Sequence, residues 1–208
     1  MRSGTFIAFE GGEGAGKSTQ ARLLAEALGR RGLEVVLTRE PGGTPGAEAI
    51  RNLLLANEGD GWNWRAEALL FAAARSDHVE RLIRPSLAKG RWVICDRFLD
   101  SSRAYQGRAG GLSDAEIRKL HQIGSEGLLP ALTVLVNVSP EVAEQRLSLR
   151  DGGSSDRIGA RSPEYHARVA AAFSEYAQEE PERFALIDGN GTVEATHALV
   201  LEAVEKLL

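Results

Sequence analysis

The chain has 208 residues, 43% of them hydrophobic, which is enough for one sizeable core and too few to require two, so one α/β domain spanning residues 1–208 is expected. Its formal net charge of -4 excludes the global positive field that holds proteins to nucleic acid backbones or anionic membranes, so any bound phosphate must be gripped locally. The one cysteine, Cys95, excludes an internal disulfide framework, and the N-terminus has too few apolar residues for an export signal or a membrane span. A cytoplasmic protein is therefore expected, with neither nucleic acid nor membrane as a partner.

Along the chain, short apolar runs alternate with stretches of helical period, the pattern of βα units around a mostly parallel sheet. Strand Thr5–Glu10 is followed by helix Lys17–Arg31, strand Glu34–Arg39, helix Pro45–Ala56 and a long helix Arg65–Lys89. Strand Trp92–Asp96, helix Ser113–Glu126, strand Leu132–Val138 and helix Pro140–Leu149 come next. Helix Pro163–Glu179, strand Phe184–Asp188 and helix Val193–Leu207 complete the series, predicting a three-layer α/β sandwich around five strands. The glycines and serines of DGGSSD, Asp151–Asp156, sit between arginine-bearing segments and read as a flap over about residues 146–161. His78, His121, His166 and His197 are too dispersed for a metal cluster and read as solvated or capping groups.

The strongest local signal is GGEGAGKS at Gly11–Ser18, which directly follows a predicted strand and opens a helix, the context a P-loop requires. Its glycines allow positive φ, so successive N–H groups can converge on phosphates while the helix N-terminus adds its dipole. Gly11, Gly12, Glu13, Gly14, Ala15, Gly16, Lys17, Ser18 and Thr19 are thus the expected ATP-binding turn. Lys17 would neutralise β and γ oxygens, and Ser18 would ligate Mg²⁺. Such a cradle is shared by switches, motors and small-molecule kinases, so the acceptor must be read elsewhere. No guanine-specifying NKxD segment is present, which argues against a switch. Asp96-Arg97 fall at the carboxyl edge of a parallel strand, where ligands of such sheets bind. Asp96 can hold Mg²⁺ or orient the attacking oxygen, and Arg97 can fork onto an acceptor phosphate. Phe71 and Arg75 are four apart on a predicted helix and share a face, so a ring can stack on a planar base while a guanidinium donates to its carbonyl.

Together FEGGEGAGKST, TREPGGT, LLFAAARSDH and DRFLDSSRAYQG resemble thymidylate kinases in their bacterial form, in order and over most of the chain. The resemblance implies a P-loop NTPase fold with a five-stranded parallel sheet, a homodimer, and transfer of the γ-phosphoryl group of ATP to dTMP with Mg²⁺. It assigns thymine stacking to Phe71, the 4-carbonyl to Arg75, the pyrimidine edge to Ser102 and Gln106, and the sugar 2′ position to Tyr105. Glu40 and Arg51 would line the dTMP site, with Arg51 on its phosphate, and Glu13 would face the 3′-hydroxyl. Family members with glycine after the P-loop acid, as Gly14 is here, supply the catalytic arginine from the flap. An arginine finger elsewhere contributes roughly 10³ to 10⁵ in rate, so the position is not left empty. Arg146, Arg150 and Arg157 are the candidates, with Arg150 and Arg157 preferred because they flank the glycines. Closer alternatives are a deoxynucleoside kinase and a UMP or CMP kinase. Only a methyl group distinguishes dTMP from dUMP, worth about 1–3 kcal/mol, so a preference and not exclusion is expected.

Overall fold

The computed structural model describes residues 4–56, 61–151 and 156–208, with side chains at all of them except Arg150 and Asp151. Its strands are β1 Phe6–Glu10, β2 Val35–Arg39, β3 Trp92–Asp96, β4 Leu132–Asn137 and β5 Phe184–Asp188. They form one parallel sheet in the order β2-β3-β1-β4-β5. The helices are α1 Lys17–Arg30, α2 Pro45–Leu55, α3 Trp64–His78, α4 Arg84–Ala88, α5 Leu99–Ser102, α6 Asp114–Ser125, α7 Pro140–Asp151, α8 Pro163–Glu179 and α9 Val193–Glu205. Two π-helical stretches, Val79–Ile83 and Arg103–Arg108, link α3 to α4 and extend α5.

The two faces of the sheet follow from the period of two along each strand. Ile7 and Phe9 of β1 point to the side covered by α1 and α9, where they join Ile94, Val134, Leu24, Leu28 and Val200. Phe6 and Ala8 point to the other side and pack with Val93, Cys95, Ile83, Phe98 and Ile117. A third cluster, centred on Phe173, Tyr176 and Tyr105, fills the space between α8, the second π stretch and β4. Both faces being covered explains why the central strands read as continuous apolar runs.

Three features depart from the sequence expectation. The long helix over 65–89 is interrupted by the π turn, which stands just before Pro85. A proline lacks the N–H for an α-type bond and its ring crowds the carbonyl four residues back, so the wider turn relieves both. Residues 99–108, read only as a motif, are helical and largely buried. Among the histidines, His78 is completely buried and His121 nearly so, rather than solvated. Helix starts carry the expected caps. Ser113 accepts from the Glu116 N–H at 3.3 Å while Glu116 accepts from the Ser113 N–H at 2.9 Å, and Ser162 caps α8.

Candidate active site

All five strands point their carboxyl ends at one rim, and a cleft of about 730 Å³ opens there. The turn from β1 to α1 forms its centre. Gly16 takes φ 92 as the N-cap of α1, a left-handed conformation costly for other residues, and Gly14 (φ 73) has no room for a Cβ, which would lie 2.6 Å from the Ala143 carbonyl. Lys17 is buried and donates to the Gly12 carbonyl at 2.6 Å, its Nζ held inside the turn. Burial first, and Arg97 second, lower its ammonium to about 8, so arriving phosphates would restore its full charge.

Ser18 Oγ donates to Asp96 Oδ2, joining the start of α1 to the end of β3. Asp96 Oδ1 is buried without a hydrogen-bond partner among the described residues. A hydroxyl beside a carboxylate with an unused, sealed oxygen is a fitting oxygen donor set for a hard divalent cation. Arg97 follows with φ 70, and its guanidinium spans the cleft floor. Nη1 donates to the Gly11 carbonyl at 3.3 Å and to Ser101 Oγ at 3.1 Å; Nη2 donates to Glu13 at 2.6 Å and to the Tyr105 hydroxyl at 3.2 Å. Burial alone would weaken its proton affinity, but Tyr105, Glu13, Asp96 and Glu10 more than offset this and hold the guanidinium well above its ordinary value. Arg97 is thus a fixed cation between the phosphate turn and the far half of the cleft.

That far half is built from β2, α2, α3 and the segment after β3. Phe71 and Arg75 both line the cleft from α3, as the four-residue spacing implies. Arg75 Nε donates to Glu40 Oε2 at 2.7 Å, and Nη2 donates to Ser102 Oγ at 2.8 Å and the Phe98 carbonyl at 3.1 Å. Burial works against the Glu40 carboxylate, yet Arg75 and then His78 outweigh it and keep it below the usual range. Arg51 lines the wall and donates to the Pro41 carbonyl at 2.8 Å. Tyr105 donates to Glu13 at 3.3 Å, and Gln106 donates to Glu67 at 2.9 Å.

The flap arginines separate. Arg146 lines the cleft, donating to the Ala15 carbonyl at 3.3 Å and to the Gly189 carbonyl at 2.8 Å. Arg157 is drawn instead to the Leu54 carbonyl at 2.9 Å and to Glu67 at 3.1 Å, beside Arg161 at 2.6 Å. The Arg150 side chain lies outside the described residues. Three contributors were not singled out by sequence reasoning. Glu67 gathers Gln106, Arg157 and Arg161; Glu10 braces the Arg97 turn; His78 stands behind Glu40. His78 had a signal available, since Phe71, Arg75 and His78 form an i, i+4, i+7 stripe.

A family model described as thymidylate kinase matches residues 9–200. The thymidylate kinase of Rhizorhabdus wittichii is 55% identical over 205 residues, covering 99% of both chains. That of Caulobacter vibrioides is 46% identical over 208 residues, covering 100% of this chain and 99% of its own. The crystal structure of thymidylate kinase from Ehrlichia chaffeensis superposes with a TM-score of 0.79 at 33% identity, covering 98% of this chain and 99% of that one.

Proposed function

Since the chain belongs to the thymidylate kinase family, we propose that its cleft brings ATP and dTMP together for direct transfer of the γ-phosphoryl group, giving dTDP and ADP. One observation carries this division of labour. Arg97 bridges from the Gly11 carbonyl and Glu13 on the phosphate turn to Ser101 and Tyr105 in the segment after β3, so one guanidinium serves both halves.

Two highly charged anions must reach near-attack distance, so positioning and charge neutralisation carry most of the catalysis. The residues from Gly11 to Thr19 cradle the triphosphate through their N–H groups, and Lys17 pairs with its β and γ oxygens. Phe71 stacks on the thymine, Arg75 donates to its 4-carbonyl, and Ser102 and Gln106 contact its edge. Glu40 lines this pocket, Tyr105 closes against the 2′ carbon, Glu13 receives the 3′-hydroxyl, and Arg51 with Arg97 holds the acceptor phosphate. Ser18 and Asp96 would hold Mg²⁺, which when bound spreads the charge developing between β- and γ-phosphates. The flap, about residues 146–161, completes the cation ring through Arg150 and Arg157 and excludes water on closing. The contacts of Arg146 with the phosphate turn support adding it to that ring, and Arg157 would have to leave Glu67 to join. The reading includes a cytoplasmic homodimer, supported by outward-facing Leu69 on α3 and Ile123 on α6; among the described residues no helix is long and apolar enough to cross a membrane.

A coupled assay of ADP release with dTMP, dUMP, UMP, CMP and thymidine in parallel tests the reading. dTMP is expected to give the highest kcat/KM, dUMP to follow within about 10- to 200-fold, and thymidine to be inert. Thymidine outpacing the monophosphates would overturn it.

A further inference from the structure

Behind Arg75 runs a buried chain of polar groups that phosphoryl transfer does not use. His78, the last residue of α3, is fully buried, with Nδ1 3.0 Å from Glu40 Oε1 and Nε2 2.8 Å from Thr38 Oγ1. A carboxylate oxygen only accepts, so Nδ1 carries a proton and donates to Glu40. The other oxygen of Glu40 accepts from Arg75 Nε at 2.7 Å, while Nη2 of the same guanidinium is committed to Ser102 and the Phe98 carbonyl. The guanidinium is planar, so fixing Nε and Nη2 fixes where Nη1 points, and Arg75 lines the cleft.

The chain is also sealed. Gly43 takes φ +87, and a Cβ there would stand 2.6 Å from His78 Nε2 and collide with the Thr38 hydroxyl. Cys95 lies close enough that Glu40, His78 and Cys95 could in outline embrace a metal ion, their ligand atoms being within 4.8 Å of one another. Arg75 already supplies the positive charge that Glu40 needs, and the Cys95 thiol donates to the Arg97 carbonyl at 3.0 Å. A hydrogen-bonded relay therefore accounts for the cluster better than a metal centre.

We propose that His78 is a positioning residue for base recognition: by holding Glu40 it sets the plane of Arg75, so that the Nη1 edge of the guanidinium meets a pyrimidine 4-carbonyl and rejects a 4-amino group. The proposal rests on the reading of Arg75 as the donor to the base. A carbonyl at that position accepts from the guanidinium, whereas an amino group presents donor to donor, and a loosened Arg75 turns away from both.

The test compares kcat and KM for dTMP and dCMP in the full-length enzyme and in His78→Phe, His78→Asn and Arg75→Lys. His78→Phe removes the donor; His78→Asn keeps one near the place of Nδ1. For His78→Phe we expect KM for dTMP to rise on the order of tenfold, as for loss of a hydrogen bond to a charged group, with kcat less affected. We also expect the dTMP-to-dCMP ratio of kcat/KM to shrink in that variant and in Arg75→Lys, and His78→Asn to recover most of it. A ratio that shrinks in Arg75→Lys but not in His78→Phe overturns the relay alone. A ratio unmoved in both removes Arg75 from base recognition and the relay with it. Should His78→Phe fail to fold, ¹⁵N spectra of the unaltered enzyme decide: a proton on Nδ1 of His78 is required, and a ring protonated only at Nε2 overturns the proposal.

Discussion

Glu10 ends the central strand with a fully buried carboxylate that shapes the next strand's turn. Oε1 accepts from the Phe98 and Ser101 N–H groups at 2.9 Å each, and Oε2 accepts from the Ser101 hydroxyl at 2.5 Å. These bonds hold the turn in which Arg97 adopts a left-handed conformation, a state costing about 1–2 kcal/mol outside glycine. Burial, and then Asp100, push the Glu10 carboxyl from 4.5 up to about 7. The folded protein thus binds this proton more tightly than the unfolded chain. Stability from this group is present below pH 4.5 and declines as pH rises towards 7, by about 3 kcal/mol at most. In nucleotide-free protein, Glu10→Gln should therefore gain stability relative to the unaltered chain between pH 5 and 8, read from urea midpoints. A difference that stays constant over that range would discard the assignment. The places of Lys17, Asp96 and Arg97 at the cleft were legible because these residues stand in contiguous motifs. Glu10 and Glu67 were not, because their partners lie 88 and 91 positions away for Glu10, and 39, 90 and 94 for Glu67.

At the scale of elements, the segment carrying Ser102, Tyr105 and Gln106 is anchored by Arg103. Its guanidinium donates to Asp114 at 2.6 Å and Asp100 at 2.7 Å, pairs with Glu180 at 2.8 Å, and lies 3.9 Å over the Tyr176 ring. Arg118 and Arg183 share the same carboxylates, so α5, α6, the π stretch and the end of α8 are tied at one point. Removing one member of a buried ion pair costs about 3–5 kcal/mol when its partner is stranded, an upper bound here because Arg118 and Arg183 remain on all three carboxylates. Arg103→Met should therefore cost about 1.5–3 kcal/mol in urea denaturation, as for loss of a hydrogen bond to a charged group; a loss under about 1 kcal/mol would show that Arg103 is not what anchors the segment. Regular elements were legible where caps and period coincided, as at Ser162 and α8, whose predicted bounds match those observed. The helical run over residues 99–108 was not legible. Phe98 offers no side-chain cap, Gly107 interrupts propensity, and burial against α8 instead of local preference makes the segment helical.

For the whole molecule, the alternation of strand and helix disclosed the parallel sheet, but strand order depends on contacts between distant segments and was not readable from any one of them. The outer surface poses a similar question. Ile123 is 74% exposed on α6 and Leu69 56% exposed on α3, two helices packed side by side. Large exposed apolar side chains on two adjacent helices are what a second copy would cover. Sedimentation should give twice the 22.4 kDa chain mass, and Leu69→Glu with Ile123→Glu should halve it. A chain that sediments as a monomer before mutation would dispose of the proposed dimer.

The strand order also divides the labour of the rim. The ends of β2 and β3 carry Glu40 and Arg97 on one side of the central phosphate turn, while the loop after β5 and the start of α7 frame the other. A change of acceptor would thus fall on the connections that leave β2 and β3, α2 and α3 among them, while the turn between β1 and α1 could stay as it is.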